Sequence, residues 1–202
     1  MSEWWTYSLS DFLMYSPRTY WRLVEHYNRA LWPVHLLALA AGVAARWMAG
    51  SRSDFAGRAL LCLLAVTWLW VGWAFHWQRY AEINWAARYV AGAFAVQAVL
   101  LAGFGLLRLP LAPSSGEAWR HWLGRGLTLS GLVLYPVIQV MAGRPWAQTE
   151  IFGMAPEPTA LATLGLLLTA GALSGGSGRW VLALVPLLSL ALGIATLWAM
   201  AG

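Results

Sequence analysis

The sequence predicts an all-α, polytopic transmembrane helix bundle of about six spans, preceded by an amphipathic helix lying at the membrane interface. Three observations predict it. The chain of 202 residues is 60% hydrophobic and only 10% charged, whereas soluble domains carry roughly a quarter charged residues. Its apolar runs approach the length of about 20 residues that a helix needs to cross a hydrocarbon core. Tryptophans stand at the ends of those runs, at Trp32, Trp47, Trp77, Trp85, Trp180 and Trp198. There an indole buries its ring while its N–H stays near water or headgroups.

The first segment, residues 1–29, mixes apolar and charged side chains too evenly to span. Apolar and aromatic residues recur at Tyr20, Trp21, Leu23, Val24 and Tyr27, a helical spacing. Ser16 followed by Pro17 reads as the helix start. No basic stretch leads directly into an apolar core, so a cleaved signal peptide is not expected and targeting falls to the first span.

Residues 30–202 form the transmembrane domain. The six expected spans are Ala30–Met48, Ala59–Trp77, Trp85–Leu107, Leu127–Gly143, Thr159–Leu173 and Trp180–Met200. The fourth contains Pro136 and the fifth is the shortest. Segments such as "SRSDFAG", "LPLAPSSGEAWRHW" and "SGGSG" supply the Pro, Gly, Ser and charge of connecting loops. Small-residue faces in "ALAAGVAA" and "AGAFA", with Gly165 and Gly171, allow close helix packing. No internal repeat supports an inverted-repeat transporter.

All thirteen basic residues are Arg. They cluster at the ends of apolar runs, as membrane anchors do, so the +5 formal charge does not indicate nucleic acid as a partner. The expected partners are the lipid bilayer and other membrane subunits or a second copy in a homo-oligomer. Cys62 is the sole cysteine and lies in an apolar run, which excludes an intramolecular disulfide and a Cys-x-x-Cys site.

Antiparallel spans sort the polar residues by face. Glu3, Asp11, Glu25, His26, His76, Arg79, Glu82, Asn84, Arg144, Glu150 and Glu157 fall on one face. Arg46, Arg52, Arg58, Arg108, Arg120, Arg125 and Arg179, with Asp54 and Glu117, fall on the other. The arginine-rich face is expected in the cytoplasm. The opposite face is centred on "FHWQRYAEINW", residues 75–85, where polar chemistry gathers between two apolar runs.

Ionisable groups at membrane depth are costly and mark functional sites. The candidate ligand-binding residues are His76, Arg79, Glu82, Asn84, Arg88, Arg144, Glu150 and Thr159, approached by Tyr135 and Gln139 on span four. His76, Arg79 and Tyr80, at i, i+3 and i+4, are expected on one helical face. His35 and His76 are the candidate metal or haem ligands, but no His-Glu-x-x-His spacing accompanies them and no cofactor is predicted. Alternatively, Arg79–Glu82 and Arg144–Glu150 simply pin loops at the interface. No nucleophile elbow, P-loop or dinucleotide fingerprint is present, which argues against an enzyme. Pro156 and Pro158 are expected to keep the chain extended, leaving Thr159 as the cap of span five.

Three segments carry a family resemblance: Tyr27-Asn28 with Trp32-Pro33; His76 through Ile83-Asn84 to Gln97; and Tyr135-Pro136, Gly143 and "IFGMAPEPT" before "LGLLL". The chain resembles a family of bacterial multi-pass membrane proteins described as a domain of unknown function, over most of residues 20–170. The resemblance implies a multi-pass location in the cell (inner) membrane, with a permease-like label on some members and no established activity. The family favours His after Gly143 and Cys between the two prolines, where this chain has Arg144 and Glu157. Both departures remove a soft or imidazole ligand. Permease-like binding or transport of a small polar or anionic solute is the expected function, with Arg79, Arg88 and Arg144 supplying charge. A non-catalytic subunit or assembly factor is the alternative, and a metal-dependent membrane enzyme the third.

Overall fold

The computed structural model describes residues 14–107, 118–173 and 177–201. Glu3, Asp11, Arg108 and Glu117 lie outside the described residues. Helix α1 (Pro17–Ala30) starts where Ser16 accepts the Thr19 amide at 3.2 Å, with Pro17 in the first turn. A cis Trp32–Pro33 bond separates it from α2 (Val34–Ala49), and the two axes meet at 89°. Helix α3 (Asp54–Trp70) continues through a π-helical stretch, Val71–Trp77. A 3₁₀ turn over Tyr80–Glu82 leads to α4 (Ala87–Leu106).

Helix α5 (Ala118–Leu129) runs through a second π stretch, Ser130–Leu134, into α6 (Tyr135–Met141). Pro136 has no amide hydrogen and its ring crowds the carbonyl four residues back, and the wider π turn absorbs that conflict. After a 3₁₀ turn at Trp146–Gln148 come α7 (Pro156–Thr169) and α8 (Val181–Ala201).

Among the described residues the architecture is all-helical, and the expectation of six spans is met in part. Among the described residues, four helical stretches are long and apolar enough to cross a membrane: Asp54–Glu82, Ala87–Leu106, Ala118–Met141 and Val181–Ala201. The bent α1–α2 pair makes a fifth if counted as one span. The expected spans one and five correspond to α2 and α7, of 16 and 14 residues. At 1.5 Å per residue these reach only about 24 and 21 Å, short of the roughly 30 Å of hydrocarbon.

Helix α7 is short because it does not face lipid. Its buried residues, Ala160, Ala162, Thr163, Leu164, Leu166 and Leu167 among them, surround the whole helix. A helix that is apolar on every side is an interior one. It packs chiefly on α5 and α8. Its carboxyl end closes as a Schellman motif: the Gly171 amide donates to Leu168 O and the Ala172 amide to Leu167 O, with Gly171 at φ 69°.

Two further expectations change. Pro156 and Pro158 do not hold the chain extended; they occupy the first turn of α7, where amide donors lack helical partners anyway. The cap position is therefore Ala155, and Thr159 sits one turn inside the helix. Helix α1 does not offer its apolar stripe to headgroups alone. Tyr20, Val24 and Tyr27 are buried in the common core, and α1 packs along the Trp146–Gln148 turn.

The lateral surface is strongly apolar. Leu37, Val43, Val66, Val99, Leu188 and Ile194 are exposed, as are all six tryptophans expected at span ends. Such a patch is far larger than a water-facing monomer carries.

Candidate functional site

The segment between α6 and α7, residues 142–155, is held against the bundle by α1. Asn28 Nδ2 donates to Ala147 O at 2.9 Å and to Thr149 O at 3.0 Å, and Tyr27 OH donates to Met154 O at 3.0 Å. Gln148 Nε2 donates to Glu25 at 3.0 Å. Gly143 and Gly153 turn the segment at φ 85° and 76°, a region that L side chains rarely adopt. The Gly153 amide is accepted by Thr159 Oγ1 at 2.8 Å.

This clamp places Glu150 in the interior, 2% exposed. Tyr20 OH donates to its Oε1 at 2.7 Å, and Gln139 Nε2 and Tyr135 OH donate to Oε2 at 2.7 and 3.3 Å. The Glu150 amide returns a bond to Gln139 Oε1 at 2.9 Å. Burial still pushes the Glu150 carboxyl up, against the lowering effect of those donors and of Arg144.

Glu157, in the first turn of α7, is the second carboxylate. Its stem is half-buried, but Oε2 is fully enclosed and has no hydrogen-bond partner. Burial, then the Glu150 charge, pushes this carboxyl up to about 8. Gly193 on α8 gives it room: a Cβ there would lie 2.5 Å from Glu157 Oε1.

Glu157 borders a cavity of about 150 Å³, also lined by His76, Tyr80, Asn84, Ser189 and Thr196. His76 is 4% exposed, and neither ring nitrogen has a partner. The cavity therefore has an enclosed carboxylate oxygen and two enclosed imidazole nitrogens without partners, a rare condition for buried polar atoms. Above it, Tyr15 and Tyr80 hydroxyls are hydrogen-bonded, and the Tyr20 and Tyr80 rings meet edge to face.

The sequence-derived candidates divide. His76 and Asn84 line the cavity, with Asn84 Oδ1 also accepting the Ala86 amide at 3.1 Å, and Glu150 is linked to it through Tyr20, a lining residue whose hydroxyl donates to Glu150. Arg144 lies with its Cζ 3.1 Å from the Trp21 ring centroid. Arg88 is exposed over Trp77 at 5.7 Å, and Glu82 is exposed. Arg79 is half-buried. Thr159 is fully buried and spends its hydroxyl on Ala155 O at 2.6 Å and the Gly153 amide, so its role is to hold the loop. Neither Arg79–Glu82 nor Arg144–Glu150 closes to ion-pair distance.

Of the three residues expected on one face, His76 and Tyr80 stay together, with ring centroids 6.0 Å apart and both lining the cavity, whereas Arg79 is not among the lining residues. As metal ligands the two histidines part company. His35 Nε2 bonds Asn28 Oδ1 at 3.2 Å, whereas His76 is enclosed by Phe75, Tyr80 and Phe94 rings. Among the described residues no group of three His, Cys, Asp or Glu side chains converges.

Sequence reasoning did not assign Glu157, Tyr20, Ser189 or Thr196 to the site. A signal existed: Ser189, Gly193 and Thr196 form an i, i+4, i+7 stripe on the otherwise apolar α8. Tyr20→Phe should leave Glu150 Oε1 without its donor and cost about 1–3 kcal/mol of stability, read as a lowered thermal midpoint. The exposed Tyr89→Phe should leave the midpoint unchanged.

No curated protein and no solved structure matches the chain. A family model described as "Family of unknown function (DUF6064)" matches residues 18–200. The resemblance drawn from Tyr27-Asn28, the His76–Asn84 turn and the Phe152–Thr159 element is thereby established, and the chain belongs to this family of unknown function.

Proposed function

We propose that this protein is a multi-pass inner-membrane protein of permease-like function whose buried chamber exchanges a small cationic solute for a proton. The observation that carries the reading is that Glu157, with its unpartnered Oε2, and His76, with two unpartnered ring nitrogens, line one cavity. A cation is favoured over the anion suggested by sequence alone, because Glu157 is the ionisable acid among the residues that line the cavity, no arginine is among them, and Arg88 is turned outward. Two neighbouring buried carboxylates resist simultaneous ionisation, so the chamber holds either a proton or a compensating positive charge.

An ammonium or guanidinium group supplies N–H donors to Glu157, to the one acceptor nitrogen of the His76 imidazole and to the Ser189 and Thr196 hydroxyls. A cavity of about 150 Å³ limits the solute to a few heavy atoms. The π turn that carries His76 is a frequent device at functional sites, since its extra residue re-aims a side chain without ending the helix.

The test is the thermal midpoint of detergent-purified protein titrated with methylammonium or guanidinium at pH 8, beside acetate as the anionic control. Both cations should raise the midpoint saturably, acetate should not, and Glu157→Gln should abolish the rise. Equal stabilisation by acetate, or a cation effect that survives Glu157→Gln, overturns the reading.

A further inference from the structure

A second recess of about 720 Å³ opens at the other end of the bundle. It is formed by the last turn of α2, the turn to α3, the start of α3 and the face of α5, with the end of α7 as its floor. Arg46, Arg52 and Arg125 reach its lining from three separate elements, and Asp54 is the acidic residue among them. Arg46 sits in the last turn of α2, where it offsets that helix's partial negative end. Arg52 and Arg125 are exposed, and Arg125 stacks on Trp122 with its Cζ 5.5 Å from the ring centroid. Three guanidinium groups around one opening are a phosphate-recognition chemistry, since planar N–H pairs match phosphate oxygens.

The position selects the source of that phosphate. The arginines stand at helix ends, the level at which apolar side walls give way to water. Two large apolar side chains are exposed at this end: Trp122, 70% exposed, lines the recess, and Phe55, 76% exposed, directly follows the lining residue Asp54. A soluble phosphate has no use for them, whereas acyl chains below a headgroup lie against such a surface.

We propose that this recess binds the phosphodiester headgroup of an anionic phospholipid, with Arg46, Arg52 and Arg125 holding the phosphate and Trp122 and Phe55 bordering the acyl chains. It rests on the membrane residence proposed above and is independent of the solute chamber. A lipid held there ties α2, α3 and α5 together at the end opposite Glu157.

Native mass spectrometry of the full chain in detergent, titrated with phosphatidylglycerol or phosphatidylcholine, tests the assignment. Phosphatidylglycerol should be retained up to about a hundredfold better than phosphatidylcholine, each of the three guanidinium groups near an anionic lipid contributing a several-fold gain. R46Q/R52Q/R125Q should reduce that preference to none, while Glu157→Gln should keep it. Should the triple variant fail to fold by circular dichroism, R125Q alone should still lower the preference several-fold. An unchanged preference in folded variants overturns the proposal. Inorganic phosphate at millimolar concentration should not displace the lipid, and full displacement would assign the recess to a soluble phosphate instead. Lipid preference without any methylammonium effect on stability removes the chamber reading alone, and the reverse removes this one.

Discussion

Gly165→Leu is expected to yield no monodisperse protein. The α5–α7 contact is made backbone against backbone. A Cβ at Gly165 would stand 2.4 Å from Thr128 N and 2.5 Å from Gly124 O, and one at Gly131 would stand 2.5 Å from Ala162 N. Main-chain atoms cannot rotate away as a side-chain tip does, so the helices must separate. Gly165→Ala alone should cost about 3 kcal/mol, at the upper end of ordinary overpacking. A leucine adds three more heavy atoms to the same clash and should exceed much of a total stability of about 5–15 kcal/mol. Size-exclusion profile and thermal midpoint are the readouts. Gly92→Ala, where nothing lies within 4 Å, is the neutral control. A monodisperse Gly165→Leu protein with the parent midpoint would refute this account of the crossing. The consequence reaches the chamber, because α7 carries Glu157 at its other end.

The fold class was legible because it rests on composition and on apolar run length, which lipid constrains directly. Asp54–Glu82, Ala87–Leu106 and Val181–Ala201 follow the apolar runs closely. What the length ruler cannot distinguish is a helix that faces lipid from one that other helices cover. Both are apolar throughout, and α7 satisfies the composition of a span with only 14 residues. The glycines that permit its burial were visible, Gly165 among them, but their partners on α5 were not.

The site was legible in its region and less so in its members. His76, Asn84 and Glu150 were found because polar residues within apolar sequence are conspicuous. Arg79, Arg88 and Glu82 were conspicuous for the same reason, yet Arg88 and Glu82 are exposed, Arg88 over the Trp77 ring, and none of the three lines the cavity. Sequence shows that a polar group sits near the bilayer edge; it does not show which way a π turn rotates it. Thr159 illustrates the converse error. Its hydroxyl lies in a polar motif but is wholly consumed by Ala155 O and the Gly153 amide.

Glu157→Gln should abolish most of the pH dependence of stability between pH 5 and 9. The Glu157 carboxyl is raised from an ordinary 4.5 to about 8, first by burial and then by the Glu150 charge. A raised folded-state value means that the folded protein binds the proton more tightly than the unfolded chain does. Its contribution is complete below the ordinary value and is lost as pH rises toward the folded one. The parent protein should therefore lose stability steadily from pH 5 to pH 8. The loss should be on the order of 2–3 kcal/mol, discounted because the Glu157 stem is half-buried and the titration is shared with Glu150. Glutamine keeps the size of the protonated acid and cannot ionise, so the variant should keep only the smaller slope that the raised Glu150 carboxyl contributes and be more stable than the parent at pH 8. Thermal midpoints of both proteins at unit pH steps measure it. Parallel curves would show that Glu157 is not the group that titrates. Saturating methylammonium should flatten the parent curve as the substitution does, because a bound cation and a bound proton relieve the same buried charge.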